Sequence, residues 1–212
     1  MRNMSKPTRT IYAELQKAYD HFNRSLFKNG LPPCLITLQR ERSTYGYFSG
    51  DRWANNDGET TDEIALNPEH FGIRSIEAVL STLVHEMVHL WQHHFGKPGR
   101  RRYHNKQWAE KMDAVGLGPS DTEKPGGNRT GESMSHFIIK DGAYANAAAK
   151  LLKGGFELSW VDRAGGTARK KKKKKVFRVK YSCPKCGVNA WAKAGVKLEC
   201  GECQRKLKVE QA

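Results

Sequence analysis

The tightest constraint on this chain is a five-residue string, His85-Glu86-Met87-Val88-His89, set inside a stretch whose apolar residues recur at helical spacing. Ile76, Val79, Leu80, Leu83, Val84, Met87 and Trp91 form one broad apolar face, and that period predicts an amphipathic helix. Ser75 stands where an N-cap is needed, and Glu77 lies in the first turn, where a carboxylate favours the helix dipole. Gly96-Lys97-Pro98-Gly99 stops the helix. In a helix, residues i and i+4 share a face, so His85 and His89 can both offer a ring nitrogen to one ion. Glu86, beside the first ligand, projects toward the open coordination position and can act as general base on a water there. Zinc with three protein ligands and one open position is the catalytic arrangement, so a third ligand is required.

Four histidines compete for that place. His93 extends the stripe of His89, but three ligands on one straight helix rarely close round a tetrahedral ion. His94 points about 100° away. His70 precedes the helix as a loop residue. His104 follows the turn from Gly96 to Arg102 and stands just before the next helical stretch, where a chain reversal returns it over the first helix. His104 is therefore the expected third ligand, and His93 and His94 are expected at the surface or in support.

A second constellation lies near the C-terminus. Cys183-Pro184-Lys185-Cys186 and Cys200-Gly201-Glu202-Cys203 form two C-x2-C pairs, and four thiolates so spaced make a closed tetrahedral structural zinc site. Gly187 and Gly201 are expected to ease the two turns. Short β-like flanks, Val176 to Tyr181, Ala190 to Ala192 and Leu207 to Val209, complete a zinc ribbon whose core is too small to fold without its metal. Cys34, in a β-like run, is expected to be packing.

The rest of the chain reads as mixed α+β. Residues 8–29 carry a helical apolar stripe (Ile11, Leu15, Ala18, Tyr19, Phe22, Leu26) that ends at Asn29-Gly30. Runs at 34–39, 45–48 and 63–66 predict three strands of a small antiparallel sheet. Residues 105–115 predict a helix with Trp108, Met112 and Val115 on one side. Residues 118–135 read as loop, followed by a strand at 136–139, a helix at 145–152 and a strand at 156–160.

Charge is unevenly placed. Of a formal net +15, residues 163–212 carry 16 Lys/Arg against 3 Asp/Glu, and the remaining body is nearly neutral. Arg169, Lys170, Lys171, Lys172, Lys173, Lys174 and Lys175 form an unbroken cationic run, expected to stay extended by self-repulsion. With Lys180, Lys185 and other ribbon lysines, and with Trp191 and Tyr181 as stacking candidates, it points to nucleic acid as partner. No apolar run is long enough for a transmembrane helix, and the N-terminus has no secretory h-region. The expectation is a protein with reduced thiols and no membrane partner, cytoplasmic, at the nucleoid in a bacterium or in the nucleus of a eukaryote.

His85-Glu86-Met87-Val88-His89, then His104 in Tyr103-His104-Asn105-Lys106-Gln107-Trp108, then Met112, resembles the SprT/Spartan family of zinc metalloproteases, although Tyr103 stands where that family often has Gly. The order helix, small sheet, active-site helix and the trailing ribbon are similar too. The resemblance covers roughly 8–118 and 177–208. It implies a minimal zincin fold with Zn²⁺ held by His85, His89 and His104, Glu86 as general base, and protein substrates bound or crosslinked to DNA. Oxyanion partners are open, with Tyr103, Tyr47 and His94 as candidates by chemistry alone.

The expected organisation is a metalloprotease domain at 8–118, an accessory α/β extension at 119–162, a basic linker at 163–176 and a zinc ribbon at 177–212. The expected cofactor load is two Zn²⁺ per chain, one held by His85, His89 and His104, the other by Cys183, Cys186, Cys200 and Cys203. The expected function is a monomeric zinc endopeptidase tethered to DNA. Its rivals are a DNA-binding or adaptor protein whose metal site cuts nothing, and a metal-dependent hydrolase of non-peptide substrates. Glu86 argues against the former, since a structural site gains nothing from a base.

Overall fold

The computed structural model describes residues 6–163 and 178–209, and the run Arg169 to Lys175 lies outside them. The chain divides into two compact units, 1–167 and 168–212. Among the described residues no helix is long and apolar enough to cross a membrane.

In the first unit, helix α1 (Pro7–Leu26) starts on a proline at its first turn, where the missing N–H costs nothing. It buries Ile11, Leu15, Ala18, Tyr19 and Phe22. Lys28 and Asn29 end it in left-handed conformation, with φ of 55° and 58°. The Asn23 amide then brackets Leu31, donating to its carbonyl and accepting from its N–H, both at 3.1 Å.

Strands β1 (Leu35–Leu38), β2 (Gly46–Ala54) and β3 (Thr60–Leu66) form one sheet in the order β1-β3-β2. The expected antiparallel sheet is thus corrected to a mixed one: β2 pairs antiparallel to β3, but β1 runs parallel to β3. The cause is burial. Asp62 to Leu66 of β3 are all buried, so this strand takes the centre with both backbone edges paired, while the half-exposed β1 joins its far side.

Helix α2 (Ile76–Phe95) is capped by Ser75, whose Oγ accepts from the Ala78 N–H at 3.2 Å. Helix α3 (Lys106–Ala114) is capped by Asn105, which accepts from Trp108 N–H at 3.1 Å. At Gly116 the chain turns with φ 88° directly against Tyr144, where a Cβ would lie 2.6 Å from its backbone nitrogen.

The stretch expected to be all loop opens instead with strand β4 (Leu117–Ser120), paired antiparallel with β5 (Ser135–Ile138). Helix α4 (Ala143–Lys153) follows and packs on α1, with Phe22 and Tyr144 stacked at 5.5 Å and His21 Nε2 2.9 Å from the Ala147 carbonyl. The strand expected at 156–160 does not form. Phe156 is buried in the core instead, and the Ser159 N–H donates to the Glu14 carboxylate at 3.0 Å. Leu15, Phe22, Leu83, Met87, Trp108, Met112, Tyr144 and Phe156 belong to one hydrophobic cluster, so the segment after β4 shares its core with α1 and α2.

The second unit holds β6 (Val179–Ser182), β7 (Asn189–Ala192) and β8 (Lys208–Val209) in the order β7-β6-β8, all antiparallel.

Candidate metal centres

Helix α2 buries most of its circumference, and His85 and Glu86 are among its buried residues. Its i, i+4 geometry sets His85 and His89 side by side, with ring centroids 5.2 Å apart. The reversal after Gly96 brings His104 over them, and its Nε2 lies 3.1 Å from His89 Nε2. Two nitrogens on one tetrahedral zinc, each bonded at roughly 2.0–2.1 Å, stand about 3.3 Å apart, so this pair fits a shared ion. Ligand atoms of His85, His89 and His104 all lie within 4.8 Å of one another. Of the four histidines weighed in the sequence, His104 is the one whose ring nitrogen the fold brings together with those of His85 and His89.

Ring orientation is fixed from behind. His104 exchanges backbone hydrogen bonds with Gly131 at 2.8 and 3.1 Å. Its Nδ1 lies 3.1 Å from the Gly131 carbonyl, which only accepts, so the proton sits on Nδ1 and the Nε2 lone pair faces the site. Trp108 forms the floor, its ring 5.1, 5.5 and 4.4 Å from the rings of His85, His89 and His104. Among the described residues its Nε1 has no hydrogen-bond partner.

Burial shapes the electrostatics. It holds His85 well below the usual imidazole range, and His136, His89 and His104 push the same way. Burial, then His104, lowers His89 to about 3. Burial lowers His104 too, against the Gly131 and Arg102 carbonyls. All three are thus neutral at pH 7, the form that ligates a metal. Burial alone pushes the Glu86 carboxyl up to about 8. Chemically, three neutral imidazole nitrogens with a carboxyl beside them match the donor set of an open zinc site.

These groups open onto a cleft of about 1480 Å³, lined on one side by β2 from Gly46 to Gly50 and on another by Arg101 to His104. Tyr47 and Tyr103 both line it, Tyr47 with its hydroxyl donating to Glu63 at 3.3 Å. His94 does not. It donates to the buried Asp62 carboxylate at 2.6 Å, with His93 3.9 Å from the other Asp62 oxygen and 3.4 Å from Asp51. A separation of 2.6 Å is that of a charge-assisted hydrogen bond, shorter than two ligands on one ion would show. That group pins the end of α2 to the β2–β3 hairpin. His70 packs edge-on against Tyr45 at 4.7 Å.

The sequence reading missed His136. It stands on β5 with Nδ1 3.0 Å from His85 Nδ1 and Nε2 2.8 Å from Ser81 Oγ. Only the alternation of a strand predicted at 136–139 hinted that it faces inward.

In the second unit, Cys183, Cys186, Cys200 and Cys203 bring their sulfurs within 4.8 Å of one another, and none is in a disulfide. Cys186 and Cys200 Sγ are 3.6 Å apart, close to the roughly 3.8 Å of two thiolates on one zinc at 2.3 Å each. The two turns are near copies: Gly187 N–H donates to Cys183 O at 2.9 Å, and Gln204 N–H to Cys200 O at 2.8 Å. Gly187 and Gln204 both take positive φ, 73° and 48°. Gly201 does not, so the second turn is eased by no glycine and the expectation for Gly201 is corrected. Amide donors of Cys186 and Lys185 pull the Cys183 thiol down to about 7.

Tyr181 is buried, its hydroxyl donating to Lys193 O at 2.8 Å, and so is not a stacking platform. Trp191 is 61% exposed and pairs in register with Lys180 across the sheet. Lys185 is exposed on the first turn.

No solved structure matches the chain. A Salmonella typhimurium protein, described as "Uncharacterized protein in mucB 3'region", is 61% identical over 59 residues, which is 27% of this chain and 80% of that protein. The family model for the SprT-like family matches residues 15–124, just over half the chain, from within α1 to just beyond β4. That stretch carries His85, Glu86, His89 and His104, and this chain belongs to the SprT-like family.

Proposed function

We propose that this chain is a zinc-dependent endopeptidase of zincin type, with the ion held by His85, His89 and His104 and a second zinc held by Cys183, Cys186, Cys200 and Cys203. The observation that carries the reading is the convergence of three neutral imidazoles beside Glu86 on the wall of an open cleft. When bound, the ion supplies Lewis-acid activation of a peptide carbonyl and of water.

The chain's own residues do the rest. Strand β2 is an edge of its sheet, and its Gly46–Gly50 stretch lines the cleft. Its unpaired backbone groups can take an extended polypeptide as an added strand, which favours a peptide substrate over a small molecule. Glu86 Oε takes the proton of the attacking water and delivers it to the leaving amide nitrogen. A carboxyl raised to about 8 by burial is protonated at pH 7, and an adjacent cation favours the ionised form that a base needs. Of the three candidates for a donor to a developing oxyanion, Tyr103 lines the cleft, whereas the Tyr47 hydroxyl is engaged by Glu63 and His94 by Asp62.

Substrates on this reading are proteins bound or crosslinked to DNA. Arg169 to Lys175, with Lys180, Lys185 and Trp191, tether the enzyme and raise its local concentration near such substrates. If about six of the run's cations meet duplex phosphates, log K falls with log salt at a slope of about −5 from this segment. The test incubates the protein with a DNA-bound protein, with and without DNA and chelator, beside a variant with residues 170–175 made neutral. DNA-stimulated, chelator-sensitive cutting that weakens in the variant supports the reading. DNA-independent cutting removes the tether, and no cutting removes the protease.

A further inference from the structure

Ser81 sits on α2 one helical turn before His85, and His136 reaches in from β5 to touch both. The direction of each hydrogen bond in this chain can be worked out. Ser81 Oγ donates its single proton to the Ala78 carbonyl at 3.0 Å, because a carbonyl cannot donate. Toward His136 Nε2, at 2.8 Å, Ser81 Oγ therefore accepts, and the His136 proton lies on Nε2. A doubly protonated His136 would aim an N–H at His85 Nδ1 and set a cation beside a cation site, so the neutral ring is the one the arrangement accommodates. Its Nδ1 is then a bare acceptor, and the contact at 3.0 Å requires His85 to carry its proton on Nδ1. The lone pair of His85 is left on Nε2, the nitrogen available to the site.

We propose that His136, set by Ser81, is a positioning residue that locks the ring orientation and tautomer of the metal ligand His85. This rests on reading His85 as a metal ligand and assigns a role to the β4–β5 segment, which lies largely beyond residue 124, where the family match ends. The consequence is architectural. Gly131 performs the same service for His104, so the segment between β4 and the end of β5 orients two of the three ligands, one through a backbone carbonyl and one through an imidazole. Partners behind a metal-bound histidine typically govern 10–100-fold in metal affinity.

Two measurements on the full-length chain test it. In the first, long-range ¹H–¹⁵N spectra of chelated and zinc-loaded protein report the tautomers. His85 protonated on Nδ1 and His136 on Nε2 is the expected result, and His85 protonated on Nε2 in the chelated protein overturns the proposal. In the second, chelator competition measures zinc affinity in His136→Leu, His136→Asn and Ser81→Ala, with the Cys-bound zinc as internal reference. His136→Leu should lose 10–100-fold. His136→Asn, whose Oδ1 replaces the acceptor, should recover most of it, and Ser81→Ala should fall between. Equal losses in the Leu and Asn variants would mean that the site needs only a filled volume, and would overturn the proposal. So would wild-type affinity in His136→Leu. Wild-type protein with zinc only at the cysteines would instead overturn the reading of His85 itself.

Discussion

Around His85, His89 and His104 the ligands stand over helices whose other faces are buried among Leu83, Met87, Trp108 and Met112. Around the four cysteines the ligands sit on two turns, and the apolar residues buried there, among those described, are Tyr181, Cys183 and Cys200. The first centre is placed by a core that exists for its own reasons. The second has little core beyond the ligands, so the ion must supply folding energy. On the proposed reading the same donor-counting argument therefore has different consequences: losing the metal should cost the first unit its chemistry and the second its fold.

The largest expected effect follows directly. Chelation should collapse the amide NMR dispersion of residues 178–209 while leaving that of 6–163 native, because structural zinc contributes on the order of 10 kcal/mol to such small units. Loss of both sets together would break the comparison.

Next, His104→Ala should lower the zinc count from two to one. With both proteins chelated, the first unit should unfold within about 1 kcal/mol of wild type, the range of substitutions that leave a core intact. Elemental analysis and a urea titration check the two halves. A stability loss of several kcal/mol would show the first unit to be as metal-dependent as the second.

Thiol chemistry separates the units again. Burial pushes Cys34 up to about 12, while amide donors pull Cys183 down to about 7. After chelation at pH 8, which on this account unfolds the ribbon, Cys183 should alkylate on the order of 10³-fold faster than Cys34, since an unfolded thiol regains its ordinary pKa and is partly thiolate while Cys34 stays in a folded unit that holds its thiol protonated. Urea should abolish the difference. Comparable rates before urea would contradict the shielding of the half-buried Cys34 thiol.

The smallest effect lies within the ribbon. Gln204 holds the left-handed position that Gly187 fills in the sister turn. Gln204→Gly should stabilise the zinc-loaded ribbon by about 0.5–1 kcal/mol, and Gly187→Ala should destabilise it by a similar amount, read from melting midpoints.

What the sequence disclosed, and what it hid, follows from how far apart the interacting residues lie. His85 and His89 were legible because four residues on a helix fix a geometry, and His104 because a short turn left it little choice of direction. The four cysteines were legible because their spacing is their structure. His136 was not, since it meets His85 across 51 positions through a strand pairing that no local period announces. Ser81 looked like any polar residue on a helix. The parallel pairing of β1 escaped notice because neighbours in sequence were assumed to be neighbours in the sheet, whereas the buried run of β3 claimed the centre. Phe156 to Trp160 had strand-like composition but found no strand to pair with, and Phe156 filled the core instead. Gly201 attracted attention as a glycine, yet the backbone demanded left-handed φ at Gln204.

The central claim is that the histidine centre is catalytic, and Glu86 tests it most directly. Wild type and Glu86→Gln should be brought to the same zinc content, two per chain, and assayed side by side on a DNA-bound protein substrate. Glu86 is not among the three converging nitrogens, so the variant should keep its zinc and its fold. Its cleavage rate should fall by about 10²–10⁴-fold, the usual contribution of a general base. Equal rates at equal zinc content would contradict the account.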